Sequence, residues 1–70
     1  MLVNDSISLG QTIRNRRKKL SYTQKYISEI TGFSMSFLSD LENGKPTCEI
    51  GKTIHLMNLL GLDINVEERG

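Results

Sequence analysis

A set of small and flexible polar side chains recurs at helical spacing in the middle of the chain. Its members are Met35, Ser36, Ser39, Asp40 and Asn43. Hydroxyl, amide and carboxylate groups can donate or accept hydrogen bonds, and a thioether can make apolar contacts. An ordinary solvent-facing helix surface would carry Lys and Glu instead. We therefore predict that this face contacts a surface that is polar and flat.

Two short helices joined by a tight turn are predicted in this part of the chain, and the second carries the polar face. Thr23 and Ser34 are predicted to cap their N-termini, because a hydroxyl oxygen can accept a bond from a free N–H group of the first turn. Gly32 lies between the predicted helices Gln24–Ile30 and Met35–Glu42, where a left-handed backbone suits glycine. The apolar residues at helical spacing are Tyr26, Ile27, Ile30, Phe37, Leu38 and Leu41.

Basic residues are concentrated just before this pair of helices. Six of the nine lysines and arginines lie within twelve positions, although the net charge is only +1. A basic stripe on a nearly neutral protein indicates a localised contact with a polyanion. The alternative is a solvated helix face, and the position of the stripe next to two short helices favours the contact. The six residues are Arg14, Arg16, Arg17, Lys18, Lys19 and Lys25.

The flanking segments complete an all-α prediction. A first helix is expected from Ser8 to about Leu20, started by a capping box between Ser8 and Gln11. A last helix is expected to begin after Thr47 as its cap, with Glu49 in its first turn, where a carboxylate suits the helix dipole. Its buried side is expected to be Ile50, Ile54, Met57 and Leu60, or Leu56 and Leu59.

The chain divides into an N-terminal arm (residues 1–7), one domain (residues 8–62) and a C-terminal tail (residues 63–70). The tail alternates polar and apolar residues from Asp63 to Glu67, which is a strand pattern. A single strand leaves its backbone groups without partners, so two tails could pair across a two-fold axis through Ile64 and Val66. A loose tail is the alternative, and the alternation does not decide between them.

Length and composition argue against an enzyme. Seventy residues bury only a small core, which leaves little for enclosing a catalytic pocket. His55 is the only histidine and Cys48 the only cysteine, and neither has a base, oxyanion or metal-binding partner at a suitable spacing. No apolar run approaches the roughly 20 residues of a membrane span, and the N-terminus lacks a signal-peptide pattern. We expect a cytoplasmic protein without cofactor or metal.

The chain resembles the Xre/Cro/C1-type helix-turn-helix DNA-binding domains over roughly Leu9 to Leu62. The matching residues are Arg17, Thr23–Gln24, Gly32–Phe33–Ser34 and Leu41–Glu42–Asn43–Gly44–Lys45–Pro46. A narrower likeness to HipB-like regulators is carried by residues 44–47, 50–52 and 60–62 and by the alternating tail. The resemblance implies a lambda-repressor-like bundle of four to five helices, in which the helix Met35–Glu42 enters the major groove.

The resemblance also implies roles for individual residues. Arg17 and Glu42 would form an ion pair that links the first helix to the end of the third. The reading helix lacks Gln, Arg and Lys, which make bidentate base contacts, so modest specificity per base or a reliance on DNA shape is expected. The implied base contacts are Ser34, Met35, Ser36, Ser39 and Asp40. The implied phosphate contacts are Thr23, Gln24, Lys25, Asn43 and Lys45, with Arg14, Lys18 and Lys19 adding nonspecific attraction.

The leading functional hypothesis is a homodimeric repressor that binds a palindromic operator in double-stranded DNA. The likeness to HipB implies a further role as the autoregulating antitoxin of a HipA-like kinase. A helix-turn-helix regulator without a toxin partner is one alternative. An antitoxin that acts by protein interaction, with DNA binding secondary, is another.

Overall fold

Four α-helices make up the fold in the computed structural model, which describes residues 2–70. They are α1 (Ser6–Lys19), α2 (Gln24–Thr31), α3 (Met35–Glu42) and α4 (Ile50–Leu59). Residues 2–70 contain no β-strand, and residues 62–70 have no regular secondary structure. The all-α prediction is confirmed. The predicted bounds of α3 are also correct, and α2 is one residue longer than predicted.

The two helices of the central pair begin and end as their sequences predict. The hydroxyl oxygen of Thr23 accepts from the backbone N–H of Tyr26 at 3.0 Å, and that of Ser34 accepts from Phe37 at 3.0 Å. Gly32 ends α2 with a left-handed φ of +77°. These caps depend on short-range chemistry alone, which explains why the sequence was sufficient to find them.

The predicted starts of the two outer helices are wrong. Asp5 caps α1, because its carboxylate accepts from the backbone N–H of Ser8 at 2.7 Å. The hydroxyl of Ser6 also donates to the distant carbonyl of Gly44 at 2.8 Å, which holds this turn against the body. The predicted Ser8–Gln11 capping box is therefore replaced by an earlier cap, and the predicted arm overlaps α1. The N-cap of α4 is Glu49, two residues after Thr47, and its side chain makes no capping bond.

The buried core lies where the four helices meet. Ile50, Ile54 and Leu59 of α4 are instead exposed by 66%, 38% and 42%, contrary to the prediction that they line its buried side. Tyr26 and Ile30 of α2 are also exposed, at 44% and 48%. An eight-residue helix has only about two turns, so few of its side chains can reach the centre. The fully or nearly fully buried apolar residues are Ile13, Ile27, Leu38, Leu41, Leu56, Met57 and Leu60.

Helix α1 packs closely on the C-terminal end of α3. A Cβ atom at Gly10 would meet the carbonyl oxygens of Leu41 and Glu42, so only glycine allows this approach. Arg16 joins α1 to the other side of the bundle, because its Nε donates to the carbonyl of Leu60 at 2.8 Å. Helix α3 is therefore held along its inner side, which leaves its outer side free to meet another molecule.

Candidate nucleic-acid interface

The outer face of α3 contains the predicted polar set. Leu38, Leu41 and Glu42 are buried on the inner side, at 1%, 4% and 5% exposure. The residues predicted to contact bases differ in their solvent exposure. Ser34, Met35 and Ser36, at the N-terminal end, are exposed, whereas Ser39 and Asp40 are half-buried. The reading face predicted from the sequence is thus the face that the fold presents outward.

The polar groups in the second half of this face have partners within the chain. The amide of Asn43 donates to the hydroxyl of Ser39 at 3.4 Å, and the ammonium of Lys45 lies 3.3 Å from a carboxylate oxygen of Asp40. These contacts are exposed and are therefore weak. The structure thus adds connections that the sequence pattern did not indicate, between residues that the resemblance assigned to bases and residues that it assigned to phosphates.

A buried ion pair connects the interface to α1. The guanidinium of Arg17 binds Glu42 with two parallel bonds, Nε to Oε2 at 2.7 Å and NH2 to Oε1 at 2.9 Å. The side chains are only 12% and 3% exposed. A third bond, from Arg17 NH1 to the carbonyl of Tyr22 at 2.8 Å, fixes the turn before α2. The predicted pair is confirmed, and it unites α1, this turn and the end of α3.

The pair also has an electrostatic consequence. The hydrogen bond to Glu42 raises the pKa of Arg17 above its already high value, and burial opposes that rise. Arg17 therefore stays cationic at every pH at which the protein can be studied. Because its three bonded nitrogens point inward, its main task is structural.

Gln24 is attached to this pair, which sequence reasoning did not foresee. Its amide nitrogen donates to Oε1 of Glu42 at 3.2 Å, so one N–H bond is occupied. An amide nitrogen carries two hydrogens, and the second remains available for another acceptor. Glu42 thereby fixes which atom of the Gln24 amide is nitrogen and where it points. A contact between residues eighteen positions apart has no local sequence signal.

The start of α2 forms the other half of the candidate interface. The first amides of a helix lack intrahelical acceptors, and here only that of Tyr26 is used by the Thr23 cap. The amides of Gln24 and Lys25 therefore point out of the helix end, where the dipole favours an anion. Lys25 is exposed beside them. This arrangement could bind an anion.

The basic stripe divides into two groups. Arg16 and Arg17 are half-buried, and they donate to the backbone carbonyl of Leu60 and to the carboxylate of Glu42. The other four cations are exposed and available to a polyanion. They are Arg14, Lys18, Lys19 and Lys25.

The remaining candidate residues lie apart from this face. Cys48 is half-buried against the core, and the exposed ring of His55 packs edge-on against Phe33 with centroids 5.8 Å apart. Among residues 2–70, no three His, Cys, Asp or Glu side chains are grouped so that they could hold a metal ion. No helix in the same range is long and apolar enough to cross a membrane. Ile64 and Val66 of the tail are 48% and 89% exposed.

A short capped helix, a glycine turn and a second helix with an exposed polar face define a helix-turn-helix protein. The chain belongs to the helix-turn-helix domain family, whose profile matches residues 10–66. This confirms the Xre-type resemblance found in the sequence.

Two relatives and one solved structure agree with this class. The chain is 34% identical over 58 residues to the uncharacterized HTH-type transcriptional regulator y4mF of Sinorhizobium fredii, covering 83% of this chain and 76% of the relative. It is 32% identical over 62 residues to the ImmF control region 10 kDa protein of Bacillus phage phi105, covering 89% and 69%. Its fold matches a HipB–O4 20mer complex with a TM-score of 0.87 at 14% identity, over 100% of this chain and 99% of that one. The family is therefore one of transcriptional regulators.

Proposed function

We propose that this protein is a sequence-specific, DNA-binding repressor that acts as a homodimer in the cytoplasm. The observation that carries the proposal is the outward face of α3, which presents Met35 and Ser36 at its exposed N-terminal end while the opposite side is anchored in the core. The major groove admits an α-helix and displays hydrogen-bonding base edges and thymine methyl groups. Ser36 suits the first kind of contact and Met35 the second.

Phosphate contacts on both sides of α3 would fix its register in the groove. On one side, the first amides of α2 and the second N–H of the Gln24 amide would donate to a phosphate. On the other, Asn43 and Lys45 follow the end of α3. Such contacts orient a protein on the duplex without carrying sequence information, and they make binding sensitive to salt.

The homodimer is proposed for two reasons: the tail exposes apolar residues, and a palindromic operator requires two reading helices. Ile64 and Val66 are exposed apolar residues in the alternating segment, where a second copy would cover them. A two-fold dimer would place its two reading helices on half-sites about 34 Å apart, or a multiple of that distance. Deleting residues 63–70 and measuring the molar mass in solution tests this step, because a truncated chain that remains dimeric would exclude the tail as the interface.

The test of DNA binding is a titration of a labelled duplex from upstream of the gene at several salt concentrations. Affinity should fall steeply with salt, by roughly one power of the salt concentration per phosphate contact. Gln24→Ala should weaken binding to all duplexes alike, whereas Ser36→Ala should change the preference among them. Gln11→Ala removes the same side chain from an exposed position that the proposal assigns to no DNA contact, and it serves as control. Binding that ignores salt, or no binding, would refute the proposal.

A second proposed role is that of antitoxin to a HipA-like kinase. It is supported by the match of the whole fold to the HipB chain. The name of the phage relative, which refers to a control region, instead favours a regulator without a toxin partner. Co-purification with the product of a neighbouring kinase-like reading frame distinguishes these roles. A complex that forms equally well with Gln24→Ala would show an antitoxin surface separate from DNA binding.

A further inference from the structure

Asp40 and Lys45 are joined twice across the C-terminal end of α3. The backbone N–H of Lys45 donates to the carbonyl of Asp40 at 3.0 Å, and its ammonium lies 3.3 Å from Oδ2 of the same residue. The lysine is thus folded back over the last turn of the reading helix. Both side chains remain about half exposed, at 53% for Lys45 and 47% for Asp40. We call this contact the exchange pair.

Asp40 is an unusual residue for a surface that faces a polyanion. Glu42, the other acid of α3, is buried and bound to Arg17, so Asp40 alone places a carboxylate on the outer face. A carboxylate only accepts hydrogen bonds, so in the major groove it can bind amino groups, such as N4 of cytosine, and is repelled by the carbonyl and N7 acceptors. Lys45 cancels this charge in the free protein, and the cost of opening an exposed pair is small.

We propose that the exchange pair couples a phosphate contact to the identity of a base. On DNA without a suitable amino group, the pair stays closed, and Lys45 is neutralised by Asp40. On DNA with an amino group opposite Asp40, the carboxylate moves to the base and the released ammonium moves to a phosphate. One weak internal contact is then replaced by two contacts to DNA. This inference rests on the proposed DNA binding, and it gives sequence dependence to a phosphate contact that would ordinarily have none.

The inference can be tested without knowing the operator, because it predicts the behaviour on unrelated DNA. In wild-type protein bound to a duplex of scrambled sequence, Lys45 should release no counterion, because Asp40 neutralises it. Asp40→Asn frees Lys45, and it should steepen the slope of log affinity against log salt by about 0.9. That corresponds to an extra loss of roughly three- to fourfold in affinity between about 50 and 200 mM salt. The double variant Asp40→Asn/Lys45→Ala should return to the wild-type slope of log affinity against log salt.

Glu29→Gln is the matched control, because it makes the same change of charge at an exposed residue that the proposal assigns to neither DNA nor the dimer. Asp40→Ser provides a second way to free Lys45, and the circular dichroism spectrum of each variant establishes that it is folded. An Asp40→Asn slope equal to that of Glu29→Gln would overturn the exchange pair and leave DNA binding intact. A double variant Asp40→Asn/Lys45→Ala that keeps the slope of Asp40→Asn would do the same, because the added contact would then not come from Lys45. Absence of salt-dependent binding by the wild type would instead remove the proposed function, and the inference with it.

Discussion

Removing the carboxylate of Glu42 should destabilise the protein strongly. Its side chain is 3% exposed and accepts bonds from two nitrogens of Arg17 and from Gln24. Glu42→Ala would leave a buried guanidinium without its counter-charge, and breaking such a pair costs about 3–5 kcal/mol. A chain of 70 residues has a total stability of about 4–10 kcal/mol. The variant should therefore lose a third or more of its free energy of unfolding.

Urea unfolding followed by far-UV circular dichroism measures this loss. Glu29→Ala is the control, since it removes an exposed carboxylate from α2 and should change stability by less than about 0.5 kcal/mol. The double variant Arg17→Met/Glu42→Leu replaces the pair by apolar groups and leaves no unpaired charge, so it should be more stable than Glu42→Ala. A loss below about 1 kcal/mol for Glu42→Ala, or a double variant less stable than it, would refute this reasoning.

Three further predictions concern the scaffold. Gly10→Ala should destabilise by about 1–3 kcal/mol, because the new Cβ would meet the carbonyl oxygens of Leu41 and Glu42. Gly51→Ala has open space and should stabilise α4 by about 0.5–1 kcal/mol, so equal urea midpoints for the two variants would contradict the close packing at Gly10. Gly32→Ala meets no atom within 4 Å, but its φ of +77° should still cost about 1–2 kcal/mol in thermal unfolding, and Gly32→Asn should recover part of that. The N–H of Ser8 holds the pKa of Asp5 below its ordinary 3.8, so this stabilisation is present above that pH and is lost as the pH falls through the lower folded-state pKa. The difference in urea midpoint between wild type and Asp5→Ala should therefore narrow in acid, and a constant difference down to about pH 2 would argue against the cap.

The sequence predicted those elements whose signals are local. Thr23, Gly32 and Ser34 set the bounds of α2 and α3 through caps and a turn that involve neighbours within a few positions. The start of α1 was missed because a second candidate, Asp5, lay three residues before Ser8, and the contact of Ser6 with Gly44 favours the earlier cap. Ile50 and Ile54 were misassigned because apolar spacing identifies a face but not what covers it.

The sequence indicated which residues form the candidate site, but it did not indicate the hydrogen bonds between their side chains. The outer face of α3 could be read from spacing, and the Arg17–Glu42 pair came from the family resemblance. The bonds from Gln24 to Glu42 and from Lys45 to Asp40 depend on side-chain directions that no periodicity encodes. The contacts of these side chains with bases or phosphates stay predictions, as do the division into arm, domain and tail and the pairing of the tails.

The bond between Ser6 and Gly44 has a practical consequence for handling this protein. It places the first turn of α1 against Gly44, which precedes Lys45 just after the end of α3. A purification tag or fluorescent protein fused ahead of Ser6 would emerge from the domain next to the proposed DNA surface. One fused after residue 70 would extend the proposed dimerisation segment. Labels for binding studies are better attached at an exposed position of α4, such as Asn58, which lies outside both regions.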